Sequence, residues 1–134
     1  MKLKMKNFRK RVPQRKLFSE YVKIMNGIFG LSKREAEVYS FMVKLDTEWQ
    51  PKSGKDYKDI LTSSNRKLLI RECNINKTNL SRLIADLRNK GLLTYNVDGG
   101  YEIPSSIAIN LGDKVTEVVF TLEVVDDDGA GKDN

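Results

Sequence analysis

The chain has 134 residues, with 24 Lys and Arg against 18 Asp and Glu, a net charge of +6, one cysteine and no histidine. That length suits one domain of ordinary size with tails, and a single cysteine excludes an internal disulfide and favours a reducing, cytoplasmic compartment. No apolar run approaches the roughly 20 residues of a membrane-spanning helix, and no secretory leader pattern is present, so no membrane partner is expected.

The cations are unevenly placed. Met1 to Lys16 carries eight Lys and Arg and no acid, Asp126 to Asn134 carries four Asp and one Lys, and the stretch between is nearly neutral. Residues 1–16 hold too little apolar surface to fold alone and are expected to be disordered without a partner. Flexible basic arms gain affinity for DNA by releasing counterions, which makes Arg9, Lys10 and Arg11 candidate phosphate contacts. A solvated tail is the main alternative; a transit or membrane-surface segment is the lesser one, because the stretch is poor in Ser and has no obvious amphipathic face.

Leu17 to Phe29 reads as a helix that is apolar on more than one side. One side can pack on the next helix, and a second copy of the chain is one way to cover the other, so a homodimer is a candidate assembly. Gly30 should end this helix. Ser32 and Glu35 have the spacing of a capping box for the following one, whose buried stripe is Val38, Phe41, Met42 and Leu45. The connector from Thr47 to Ser63 mixes Pro51, Gly54 and charges and reads as an exposed loop onto which Trp49 and Tyr57 pack. Ile60 and Leu61 can form a short strand at its end. Lys52, Lys55 and Lys58 are candidate backbone contacts or simply solvated.

The next stretch organises the chain. Leu80, Leu83, Ile84 and Leu87 fall at i, i+3, i+4 and i+7, which lines one face of a helix with apolar groups and leaves the other polar. Leu69, Ile70 and Cys73 give a shorter preceding helix a similar face. Between the two, Asn74 tolerates a left-handed turn, Ile75 plugs the gap and Asn76 can cap the second helix. Cys73 lies on the apolar face, where inert packing is the expected role.

The run from Leu69 to Leu93, with its ending Leu87, Lys90, Gly91, Leu92 and Leu93, resembles the helix-turn-helix of winged-helix DNA-binding proteins. GLSKREAEVYSFMVKLD, from Gly30 to Asp46, looks like the first helix of MarR/TrmB-like regulators; the two stretches cover about half the chain. The resemblance implies an α+β fold, a mainly helical winged helix-turn-helix with a small antiparallel β-wing sheet. The long connector departs from the short link usual in that family and leaves the subfamily open.

Leu92 to Ile103 then reads as the wing, a hairpin in which Leu93, Tyr95 and Val97 alternate upward and Tyr101 and Ile103 downward around Asp98, Gly99 and Gly100. Its tip carries Asp98 and no cation. In the segment Ser105 to Val125, Val115, Val118, Val119 and Leu122 also fit helical spacing, but the abundance of Val, Thr and Phe from Val115 to Val125 favours a second hairpin, turning at Gly112 and Asp113, whose apolar edge should be covered. GGYEIPSSIAINLGD also resembles the end of RepL-type plasmid replication initiators. The expected organisation is a basic arm at 1–16, a winged helix-turn-helix domain at 17–125 and an acidic disordered tail at 126–134.

No histidine, cysteine pair or nucleophile motif supports an enzyme, a metal site or a cofactor. SGK at Ser53 to Lys55 and GAGK at Gly129 to Lys132 lack the rest of a phosphate-loop pattern. The expected function is sequence-specific binding of double-stranded DNA, in a transcriptional regulator or alternatively a replication initiator. A third reading is a winged helix kept as a protein-interaction module. If DNA is the partner, Lys77, Thr78, Asn79, Ser81, Arg82 and Arg88 on the second helix of the pair are the candidate contacts. No separate sensor domain is expected, and the sequence indicates no particular small-molecule effector.

Overall fold

A computed structural model describes residues 10–51, 57–109, 124 and 126. Among them the chain forms four helices, α1 (Leu17–Phe29), α2 (Lys33–Thr47), α3 (Ser63–Glu72) and α4 (Lys77–Asn89), followed by two short strands, β1 (Thr94–Tyr95) and β2 (Tyr101–Glu102). The class is α+β, mostly helical, with one two-stranded antiparallel sheet. No helix among the described residues is long and apolar enough to cross a membrane.

A short turn leads into α1. Pro13 has its φ preset near the helical value, and the Lys16 amide reaches back to its carbonyl at 2.9 Å, so Gln14–Lys16 make a 3-10 turn that runs into α1. Gly30 ends α1, and the Asn26 side chain then holds both the amide and the carbonyl of Leu31, at 3.0 and 2.9 Å. One residue later the capping box forms as the spacing predicts: the Glu35 amide donates to the Ser32 hydroxyl, and the Ser32 amide donates to the Glu35 carboxylate.

α1 turns Val22, Met25 and Phe29 into the core, and leaves Ile24 and Ile28 49% and 64% exposed on its second apolar side. From α2, Val38 and Met42 are buried as expected, while Phe41 and Leu45 pack only at the margin of the core. Tyr39 and Val43 are fully buried instead. Tyr39 sits edge-on to Phe29, with centroids 5.6 Å apart, and its hydroxyl donates to the Leu92 carbonyl at 2.8 Å. A buried phenol needs such an acceptor.

The end of the connector is buried rather than exposed. Ile60 and Leu61 are core residues, and the Ile60 amide donates to the Tyr101 carbonyl at 2.9 Å. That is a single ladder-like bond, not a strand. Asp59 immediately accepts the Leu61 amide, and Thr62 caps α3 by accepting from the Asn65 amide, so the chain is committed to helix before pairing can extend. Trp49 is half-buried, as is Tyr57. After β2, the Tyr21 hydroxyl and the Thr47 hydroxyl donate to the carbonyls of Ile107 and Ile109, which fasten this segment to α1 and α2. The expected hairpin at Gly112 and Asp113, the apolar run before Val125 and the Gly129 to Lys132 motif lie outside the described residues, except that Val124 and Asp126 are exposed.

Burial, with smaller contributions from Tyr21 and Asp46, pushes the Tyr39 hydroxyl far above its ordinary pKa of 10.0. The stability tied to the protonated hydroxyl is therefore fully present below that ordinary value and is lost as pH climbs from there toward the higher folded value. Urea denaturation should show stability falling once the pH passes about 10, where an unfolded tyrosine ionises. Tyr39→Phe should cost about 1–2 kcal/mol at neutral pH through the missing hydrogen bond and should flatten the alkaline fall. An unchanged alkaline profile would place the responsible groups elsewhere.

Candidate nucleic-acid interface

The polar surface of α4 owes its position to the turn before it. Asn74 takes a left-handed conformation, with φ of 51°, and the Arg34 guanidinium of α2 donates to its carbonyl. Ile75 is buried beneath the turn, and the Asn76 side chain accepts the Asn79 amide at 2.7 Å to start α4. The roles of Asn74, Ile75 and Asn76 follow from residue type. The brace from Arg34, 40 residues upstream, is supplied by the tertiary fold.

Leu80, Leu83, Ile84 and Leu87 are all buried, which fixes the rotation of α4 about its axis. The remaining side chains therefore divide into three strips. Thr78, Arg82, Ala85 and Asn89 lie most nearly opposite the core. Asn79 and Asp86 flank them toward α2, where with Arg34, Glu35 and Arg82 they line an open groove over Val38, Ile75 and Leu83. Lys77, Ser81 and Arg88 flank them on the other side, where Arg88 meets the hairpin. All six candidate contacts on α4 are exposed, but they do not form one patch.

α4 closes at Gly91, whose φ of 75° lets the Leu92 amide fold back to the Leu87 carbonyl at 2.8 Å. This places Leu92 and Leu93 in the core and starts β1 beside the end of α4. The predicted alternation through Val97 does not extend that far. Leu93 is buried, Tyr95 is half-exposed and Val97 is fully exposed in the turn. The strands are two residues long because Asn96 bends the chain early, its side-chain oxygen accepting the amides of Asp98 and Gly100.

A polar network anchors the hairpin to the connector. Asp46, 5% exposed at the end of α2, accepts the Ile103 amide at 2.9 Å and pairs with the Lys58 ammonium at 2.9 Å. Asn96 donates to the Lys58 carbonyl, and Asp59 accepts the Tyr101 amide. Gly100 packs so closely here that a Cβ would fall onto the Lys58 carbonyl oxygen. Lys58, read from sequence as a possible backbone contact, instead pairs with Asp46 and keeps its side chain 29% exposed. Lys52 and Lys55 lie outside the described residues, as does Arg9 of the arm.

Arg11 lies at the surface, whereas the Lys10 ammonium bonds Glu20 at 2.7 Å and holds that carboxyl below its usual range. An exposed pair of this kind contributes little to stability. Cys73 is partly buried against the core, and burial, followed by Glu37 and Glu72, pushes its thiol up. A thiol held in its protonated form is poorly suited to redox sensing. No cluster among the described residues has the donors of a metal site.

Arg88 is drawn to the hairpin, where its guanidinium stands over Tyr95 and Tyr101. Sequence reading missed Arg34, Asp46, Arg66, Tyr95 and Tyr101 as parts of this surface or its support. One signal was available: Tyr95 and Tyr101 are equally distant from Asp98, so a hairpin centred there pairs them directly.

Removing the Asp46 carboxylate leaves the Ile103 amide and the Lys58 ammonium without their partner. Asp46→Ala should therefore cost about 2–4 kcal/mol of stability. It should also raise hydrogen exchange at Ile103 and Tyr101 more than at Leu83. Uniform exchange changes across the chain would show that Asp46 does not act locally on the hairpin. Comparison of the chain with protein-family models, curated proteins and solved structures finds no match.

Proposed function

We propose that the protein is a winged helix-turn-helix that binds double-stranded DNA sequence-specifically in the cytoplasm, as a transcriptional regulator. The observation that carries this reading is α4 itself. A sharp, braced turn leads into a helix whose apolar stripe is wholly buried and whose Lys77, Thr78, Asn79, Ser81 and Arg82 are all exposed. A helix about 10–12 Å across fits the major groove, and its first turns are where base edges are met.

Within that reading the three strips take different tasks. Arg82 can pair in bidentate fashion with a guanine edge and Asn79 with an adenine edge, while Lys77, Thr78, Ser81 and Arg88 suit the flanking backbone. The arm adds affinity without sequence preference. The exposed Ile24 and Ile28 edge of α1 offers a contact between two copies, which would present two α4 helices to a palindromic site. Sedimentation of the free protein at about 10–50 µM, where a dimer of micromolar Kd is populated, should give a dimer, and a monomer would remove this contact.

One observation favours a protein-interaction module instead: the hairpin tip exposes Val97 beside Asp98 and carries no cation. Sequencing of genomic DNA fragments retained by the protein separates the readings. Many promoter sites support a regulator, one origin a replication initiator, and no enrichment the interaction module.

Arg82→Ala should cost about 1–3 kcal/mol on the selected site while leaving random-sequence affinity and Tm nearly unchanged. Leu83→Ala should instead cost about 2–5 kcal/mol of stability, because it empties a core position. Deleting residues 1–15 should weaken binding to every sequence and flatten the dependence of log K on log salt, by about 0.9 for every phosphate that the arm had neutralised. If Arg82→Ala and Asn79→Ala both bind every DNA as the parent does, α4 is not a reader.

A further inference from the structure

The hairpin carries a cluster to which base reading by α4 gives no task. Tyr95 and Tyr101 are direct cross-strand partners, with ring centroids 4.9 Å apart and planes at 75°. The Arg88 guanidinium carbon, from α4, stands 5.3 Å from the Tyr95 centroid and 5.8 Å from that of Tyr101. Arg66, from α3, stands 5.9 Å from the Tyr101 centroid. Two helices and the hairpin thus converge on one pair of rings.

Neither arginine is neutralised by a carboxylate. The Arg88 side chain has no hydrogen bond or ion pair among the described residues, and Arg66 uses only its Nε, which donates to the Leu61 carbonyl at 3.0 Å. A carboxylate partner would cancel the charge of a guanidinium; an aromatic ring holds it by its quadrupole and leaves both the charge and the in-plane N–H edge available. Glu102 is adjacent in sequence, but successive strand residues point to opposite faces, and its carboxylate accepts from Asn96 at 3.3 Å. Tyr95 is half-exposed, so the cluster is open to a partner.

Forked donors on planar cations match the oxygens of a phosphodiester, which a lysine meets only as a point charge. We propose that Arg66 and Arg88 grip the sugar-phosphate backbone of duplex DNA beside α4, with Tyr95 and Tyr101 as the positioning residues that aim them. The grip rests on the duplex-binding reading and gives the base of the hairpin the task that its acidic tip cannot perform.

The test is a salt titration of the full chain with a random-sequence duplex. Arg66→Gln/Arg88→Gln should weaken binding and lower the slope of log K against log salt by about 0.9 for each phosphate no longer neutralised. Arg66→Lys/Arg88→Lys should keep the slope and lose several-fold in affinity, and Tyr95→Leu should weaken binding although it removes no charge. In the parent protein, the Nε–Hε resonances of both arginines should shift when the duplex is added, a readout that needs no variant to fold. Parent-like affinity and slope in the glutamine pair, unshifted arginine resonances, or a loss confined to single-stranded oligonucleotides would each overturn the grip while leaving duplex binding in place. Failure of the parent to bind any duplex overturns the functional reading, and the grip with it.

Discussion

Asp46 holds the molecule's two halves in register. It ends a helix that belongs to the first half of the chain, yet its carboxylate takes the amide of Ile103 and the ammonium of Lys58. A charge this deeply buried is tolerated only when its lone pairs are filled. Meeting that requirement draws the connector and the segment after β2 to the same point. Asn96, Asp59 and the absence of a Cβ at Gly100 then fix the hairpin against the connector. A two-residue strand pair has little intrinsic stability, and these polar contacts together with the buried Leu92, Leu93 and Ile103 supply what the short ladder cannot.

A second set of constraints fixes α4. Its four buried apolar residues set its rotation, Asn74 and Asn76 set its start, and the Arg34 guanidinium ties the preceding turn to α2. Because the start of α4 is braced and its end folds back at Gly91, its exposed strips are presented in a defined orientation. In the proposed function that rigidity matters more than the identity of any one contact, since base edges are read only by donors and acceptors held in place. The strip toward α2, with Asn79 and Asp86, shares its groove with Arg34 and Glu35, whereas on the other side Arg88 stands over the hairpin tyrosines. The two sides of the helix therefore present different electrostatic surfaces.

The hairpin also shows how a local departure can redirect a surface. Its turn is built by Asn96 and Gly99 with no cation at the tip, and Val97 stands fully in solvent. The side chains that could meet an anion are instead at its base, where Arg66 and Arg88 lean on the paired tyrosines. Lys58, whose backbone adjoins the hairpin, is paired with the buried Asp46 carboxylate.

The sequence by itself determined what depends on near neighbours. Helix periodicity marked Leu80 to Leu87 as a buried stripe, the S-x-x-E spacing marked the capping box at Ser32 and Glu35, and Asn74 and Asn76 marked the turn and cap. These are interactions within one or two helical turns, so their partners lie within the same short window of residues. The direct pairing of Tyr95 with Tyr101 was equally legible from the centre of the turn. Only the tertiary structure decided that Tyr39 rather than Phe41 fills the core, that Ile60 contributes one bond rather than a strand, and that Asp46 and Lys58 are internal partners. The reason is physical. A charged or aromatic side chain at helical spacing looks the same in sequence whether its partner is water or an amide 57 residues away, and which it meets is set by the packing of elements that no local window contains.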